Sequence, residues 1–293
     1  MTSAPAALPR ARVAHEAAEP VLRVRRRPRR GNWILSAIAL IFVAMFVHGL
    51  VRNPGWDWPT FARYFTAKSV LAALWLTIRL TIYGTVLGFV LGVALAAARL
   101  SKNPVLQAIS WTYVWIFRSI PLIVQLLFWF NIAYLYDTIS FGIPFGPSLI
   151  TIDTNELLSG LTASVIGLTL HQGAYFAEII RGGIVSVDEG QLEAAAALGI
   201  PRRRQFFRIV LPQAMRSVMP NAANEVISLV KGTSIVSTMA IADLFYQVQV
   251  IFGRNGRVVP LLMVATVWYI VITSVLTVVQ YYIERHYARG AHR

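Results

Sequence analysis

The sequence predicts an all-α polytopic membrane protein with six transmembrane helices. Three observations carry that expectation. The 293 residues are 56% hydrophobic, where a soluble domain is nearer about 45–50% apolar. Their mean hydropathy is +0.59. Apolar runs alternate with short polar loops, and about 20 helical residues, rising about 1.5 Å each, cross a hydrocarbon core of about 30 Å.

Residues 1–31 are rich in Ala, Pro and Arg and read as a disordered basic cytoplasmic tail. An apolar run at 33–51 follows. A basic stretch before an apolar run imitates a signal peptide, but this run is long for one and no convincing cleavage site follows it. It reads as an uncleaved first helix at 32–52. Five further spans are expected near 71–98, 117–136, 158–180, 221–245 and 258–283, and residues 286–293 as a C-terminal cytoplasmic tail.

Short-loop charge sets the orientation. Arg99 and Lys102 join the second and third spans, and Arg202, Arg203, Arg204, Arg208 and Arg216 join the fourth and fifth. Both loops are therefore expected inside, with both termini. The 137–157 loop has no Lys or Arg and suits the outside. Arg52, Arg63 and Lys68 in one outer loop, and Arg254 and Arg257 in another, weaken this bias without reversing it. The formal net charge is +14, from 27 Lys+Arg against 13 Asp+Glu. Because much of the excess flanks apolar spans, it points to topology and anionic lipid in the bilayer, and no nucleic-acid partner is expected. Zero cysteines exclude disulfides, thiolate metal sites and a Cys nucleophile.

Two packing signals lie within the spans. Gly84, Gly88 and Gly92 recur four apart, and Ala96 continues the row. Small residues at that spacing let another helix approach closely, from this chain or another subunit. Pro121 suits a first helical turn or a kink, so residues 104–117 read as an interfacial helix ahead of the third span, with Trp111, Tyr113 and Trp115 at the interface.

Between the fourth and fifth spans lies a polar, basic island at about 187–212. Asp188 suits a helix N-cap, Gly199 the left-handed position that ends that helix, and Pro201 the first turn of the next. Leu211-Pro212 is expected to break or bend the chain. The Ala194–Ala197 run has almost no side-chain bulk, so another protein can approach its backbone. Two readings fit the residues: a docking element for a partner protein, or a helical hairpin lying on lipid headgroups.

Here the sequence resembles a known family. Glu193-Ala194-Ala195, three residues, Gly199, nine residues, then Ile209-Val210-Leu211-Pro212 is similar to the EAA loop of ATP-binding-cassette (ABC) importer permeases. Phe117-Arg118-Ser119-Ile120-Pro121-Leu122-Ile123-Val124-Gln125, Gly173-Ala174-Tyr175-Phe176-Ala177-Glu178, Arg181-Gly182-Gly183-Ile184, Gly190-Gln191, Leu211-Pro212-Gln213-Ala214 and the stretch from Asn224 to Ser234 resemble the polar amino acid branch. The likeness covers about residues 68–285. It implies a five-helix type I ABC importer permease core at 68–285 plus one extra N-terminal helix, in a bacterial cytoplasmic (inner) membrane. Gly190, Glu193, Ala194, Ala195, Gly199 and Pro212 are then the residues that couple it to a separate ABC ATPase subunit, present in two copies. It also implies a second permease, as homodimer or related heterodimer, and an extracytoplasmic substrate-binding protein that delivers an amino acid. No cofactor is implied in this chain; ATP and Mg belong to the partner ATPase. The chain departs from the family pattern at Ser119-Ile120, where Gly-Thr is common, and at Gly232, where an acidic residue or Asn is common.

Ionised groups inside a bilayer are expensive and normally face a partner or a cavity. Arg118 and Glu178 fall near the cytoplasmic ends of adjacent spans and are expected to pair as a brace, with substrate contact the alternative. Arg79 and Glu225 lie in spans with no partner legible. Gln125, His171, Gln172, Asn224, Ser228, Lys231 and Thr233 sit deeper. Taken singly each suits an interhelical hydrogen bond, and as a set they are the candidate translocation pathway, with both donors and acceptors for a zwitterion. No catalytic residue or metal site is expected. His171 is the one histidine deep in a span, and no metal or nucleophile motif is present. A Gly-x4-Gly-Lys-Ser/Thr phosphate loop is also missing, so ATP is not bound by that route. The rival readings are a permease for another small solute such as an opine or amino-acid derivative, a membrane-embedded enzyme, and a passive channel.

Overall fold

The computed structural model describes residues 30–143 and 148–288. The chain divides into two units, residues 1–53 and 54–293. The described part of the first is a helix, α1 (Arg30–Arg52), with exposed side chains from Trp33 to Gly49. A helix apolar all round suits a lipid environment. Most of the tail expected at 1–31 lies outside the described residues.

The second unit runs α2 (Trp58–Phe65), α3 (Lys68–Arg99), α4 (Pro104–Ser119), α5 (Leu122–Phe130), strands β1 (Thr138–Gly142) and β2 (Ser148–Asp153), and α6 (Thr154–Leu157). It continues through α7 (Gly160–Val185), α8 (Glu189–Ala197), α9 (Arg202–Gln205), α10 (Leu211–Gly232), α11 (Leu244–Asn255) and α12 (Val258–Ala288). Among the described residues of this unit, α3 and α12 are unbroken, long and apolar enough to cross a bilayer. Two bent pairs also qualify together: α4 with α5, bent by 103°, and the run from Arg202 to Met239 with α11, bent by 48°. The 26 residues of α7 are long enough to cross, although they carry His171, Gln172, Glu178 and Arg181.

The glycine row of α3 has its partner within the same chain. Built at Gly88, a Cβ would lie 2.7 Å from Gln172 Cβ; at Gly92, 2.5 Å from Phe176 Cβ; at Gly84, 3.2 Å from Leu168 Cβ. Leu168, Gln172 and Phe176 are themselves four apart, so a bare groove on α3 receives a row of side chains on α7. Leu80, Leu126, Leu168, Leu229, Val236 and Met239 continue this seam as the central core.

Several features differ from the sequence expectation. The third span is a short α5 after a sharp bend, not one helix over 117–136; nine residues rise only about 14 Å. Pro121 forces the turn, and Gln125 holds it by donating from Nε2 to the carbonyls of Phe117 and Ile120, both at 2.7 Å. The 137–157 loop, read from the sequence only for its lack of Lys and Arg, carries the β1–β2 hairpin, paired antiparallel from Thr138↔Asp153 to Phe141↔Ile150. Its alternation of Ile139 and Phe141 with Thr138 and Ser140 is a period-2 pattern. Of the break or bend expected at Leu211-Pro212, the break is not found. A π turn at Phe206–Val210 widens the helix so that it runs on into α10, with Leu211 N donating to the Phe206 carbonyl. That wide turn accommodates a residue with no N–H. The expected C-terminal tail begins as helix, since α12 continues to Ala288.

The fifth span is broken as well. After α10 comes a 3₁₀ stretch, Thr233–Met239, then Ala240 in the left-handed region at φ 56°. Asp243, fully buried, caps α11 by accepting from Tyr246 N at 2.9 Å and Phe245 N at 3.3 Å. Thr77 Oγ1 of α3 accepts from Leu244 N at 3.0 Å. These bonds satisfy the backbone that the break frees, as a membrane interior requires.

Candidate functional site

The loop between α7 and α10 forms as its residues dictate. Asp188 caps α8, its carboxylate accepting from Gln191 N at 3.2 Å. Gly199, at φ +67°, ends it. Gly199 N donates to the Ala196 carbonyl at 2.9 Å and Ile200 N to the Ala195 carbonyl at 3.0 Å, which satisfies the last carbonyls of the helix. Gln205 Nε2 donates to the Ile200 carbonyl at 2.7 Å and ties α9 to this corner. Val187, Val210 and Ala214, with Ile184 and Leu192, anchor the element to the ends of α7 and α10.

The candidate coupling residues are unequally presented. Gly190, Glu193, Ala194, Gly199 and Pro212 are exposed. Ala195 is turned inward, 3% exposed. Beside them Leu198 stands 79% exposed at the tip of α8, a large apolar side chain that none of the described residues covers. The sequence reading missed Leu198; its signal was the position directly before the helix-ending glycine.

The candidate pathway residues separate into two groups. Asn224, Ser228 and Lys231 are exposed and, with Asn221, share one face of α10 at spacings of three and four. Asn224 Oδ1 accepts from Gln280 Nε2 of α12 at 3.0 Å. The others are inside the bundle. Gln125 holds the α4–α5 bend. Gln172, 1% exposed, donates from Nε2 to Glu225 Oε1 at 3.0 Å. Thr233 is fully buried and donates to the Val230 carbonyl at 2.7 Å. His171 is half-buried against Tyr175, ring centroids 4.8 Å apart.

Glu225 therefore has a partner the sequence did not reveal, and it lies on the flank of the exposed α10 row. Arg79 rests over the Tyr83 ring at 5.9 Å. The expected pair between Arg118 and Glu178 is corrected. Glu178 pairs with Arg181 at 2.7 Å, one turn along the same helix, whereas Arg118 lies over the Tyr175 ring at 5.4 Å. The i,i+3 spacing gives Glu178 a nearer cation than any other helix offers.

Comparison with known proteins defines the class. Residues 84–289 match the family of binding-protein-dependent transport system inner membrane components. The chain is 40% identical over 271 residues to the arginine transport system permease protein ArgU of Corynebacterium glutamicum, which covers 90% of this chain and 82% of that relative. It is 36% identical over 195 residues to the L-cystine transport system permease protein TcyB of Bacillus subtilis, covering 66% of this chain and 76% of the other. Among solved structures, an amino acid ABC transporter crystallised with histidines superposes with a TM-score of 0.64 at 30% identity, over 74% of this chain and 94% of that one. The MetNI methionine ABC transporter in an inward facing conformation superposes with a TM-score of 0.58 at 21% identity, over 75% and 96%, a likeness of fold alone. The chain belongs to the family of binding-protein-dependent transport system inner membrane components. It is a membrane-embedded permease subunit of an ABC importer and not by itself an enzyme.

Proposed function

We propose that this permease admits an amino acid with a basic side chain, coupled through α8 to a separate ATPase. The observation that carries the reading is the exposed row Asn221, Asn224, Ser228 and Lys231 on α10, flanked by Glu225. A polar row exposed on a membrane-crossing segment needs a covered, hydrated space, because lipid does not solvate it. A second permease, identical or related, placed against this row encloses such a space. Glu225 then supplies an acceptor for a cationic side chain, and Lys231, six residues or about 9 Å further along the helix, a donor for a carboxylate. The 40% identity to an arginine transport permease supports the choice of a basic substrate.

In this reading the ATPase, in two copies, holds ATP and Mg and receives Glu193, Ala194, Leu198 and Gly199. An extracytoplasmic binding protein delivers the substrate, and both termini face the cytoplasm. The test is uptake by proteoliposomes that hold the complex, its ATPase and its binding protein. Basic, neutral and acidic radiolabelled amino acids are offered with and without internal ATP. ATP-dependent uptake of the basic members supports the reading. ATP-dependent uptake of acidic or neutral members alone overturns the substrate class, and equal uptake without ATP overturns the coupling.

A further inference from the structure

A second polar cavity has no α10 residue in its lining. It measures about 380 Å³ and is formed where α3, α4 and α7 meet. Arg99, Arg118, Trp111, Trp115, Ser119 and Tyr175 line it together with Glu178. The Glu178 carboxylate is already engaged, since Arg181 donates to it from Nε and Nη2. Arg99, Arg118 and Arg181 stand against Glu178 and against Glu225 of α10, which also acts on Arg118, so one positive charge remains in excess at the cavity. Arg99 Nη1 is buried with no hydrogen-bond partner. Arg118 has an aromatic face beneath it and is in neither of the ion pairs found among the described residues.

A buried guanidinium donor without an acceptor is costly, and an anion at the cavity removes that cost. Two guanidinium groups at one site suit a phosphate, whose oxygens accept in pairs. The mouth identifies its source. Trp111 and Trp115 stand one turn apart with ring planes 2° from parallel and centroids 6.0 Å apart. They are 52% and 58% exposed, and Ile109 and Ile116 beside them are 59% and 37% exposed. An indole pair set in an exposed apolar surface belongs at the boundary between headgroups and acyl chains.

We propose that this cavity binds the phosphate of an anionic glycerophospholipid, with Arg99 and Arg118 as its donors and the Trp111–Trp115 face along the lipid. With the orientation proposed above, the lipid belongs to the cytoplasmic leaflet. The site joins α4 to the ends of α3 and α7, so the bound lipid bridges three helices close to the coupling loop.

The test uses the purified complex of full-length permease and its ATPase, stripped of lipid in detergent and then given phosphatidylglycerol. Retained lipid is counted by native mass spectrometry. Wild type is expected to keep phosphatidylglycerol in preference to phosphatidylcholine. Arg99→Gln/Arg118→Gln is expected to keep about tenfold less, the loss that two charged hydrogen-bond donors bring. Arg204→Gln, in the basic loop, is expected to match wild type. Equal retention by the double variant overturns the site. Displacement of the lipid by millimolar inorganic phosphate also overturns it, because the ligand is then a soluble anion. If the double variant does not assemble, wild type decides alone. A photoactivatable phosphatidylglycerol must label the 104–119 peptide, and labelling confined to other helices rejects the proposal.

Discussion

Gln172 Nε2 donates to Glu225 Oε1 at 3.0 Å across the contact between α7 and α10. This bond places a carboxylate at the flank of the polar α10 row while a fully packed amide fixes its direction. Gln172 is itself wedged by the bare backbone of Gly88, so the glycine row of α3, the amide and the carboxylate form one chain of positioning contacts.

Removing the amide should therefore be felt twice. Gln172→Leu keeps most of the volume but leaves Glu225 without its donor, at a cost of about 1–3 kcal/mol. A lowered midpoint of thermal unfolding in detergent and weaker substrate uptake are both expected. An unchanged midpoint would show that Glu225 finds another partner.

The α3–α7 seam has no room for added atoms. Gly88→Val places its Cβ against Gln172 Cβ, and overpacking of this kind costs about 1–3 kcal/mol. Gly182→Ala is the matched control, because its Cβ meets nothing within 4 Å. Thermal unfolding of the two variants side by side should separate them clearly.

Gln125 holds the α4–α5 bend that Pro121 starts. Gln125→Leu removes both donors to the Phe117 and Ile120 carbonyls and leaves those acceptors in an apolar setting. A loss of about 1–3 kcal/mol is expected. Limited proteolysis near residue 120 should quicken if the bend opens.

At the coupling loop, folding and docking can be told apart. Leu198→Asp changes an exposed side chain and should leave the unfolding midpoint unaltered, yet weaken capture of the ATPase by about tenfold or more. Gly199→Ala instead strains a left-handed backbone position by roughly 1–2 kcal/mol and should fray α8. Circular dichroism and co-purification with the ATPase distinguish the two.

Much of this was legible because it is local or periodic. The i+4 glycine row announced a close helix contact, and Asp188 and Gly199 marked both ends of α8 through their caps. What escaped the sequence depended on tertiary geometry. The 103° bend after Ser119 follows from Pro121 but needs Gln125 to hold it, and a glutamine four residues after the proline carries no signal of that. Thr233 reads as a pathway hydroxyl until its burial is seen. Glu178 had two plausible cations, and the nearer, on its own helix, took it. The division of α10 into a packed side and an exposed polar row likewise depends on where α7 and α12 lie.

The most direct test of the central claim is ATP-driven uptake of arginine against glutamine in proteoliposomes holding wild type or Glu225→Gln with the ATPase and binding protein. The account predicts that wild type favours arginine, and that Glu225→Gln loses about tenfold or more of arginine uptake at low concentration with assembly unchanged. Undiminished arginine uptake by Glu225→Gln would contradict it.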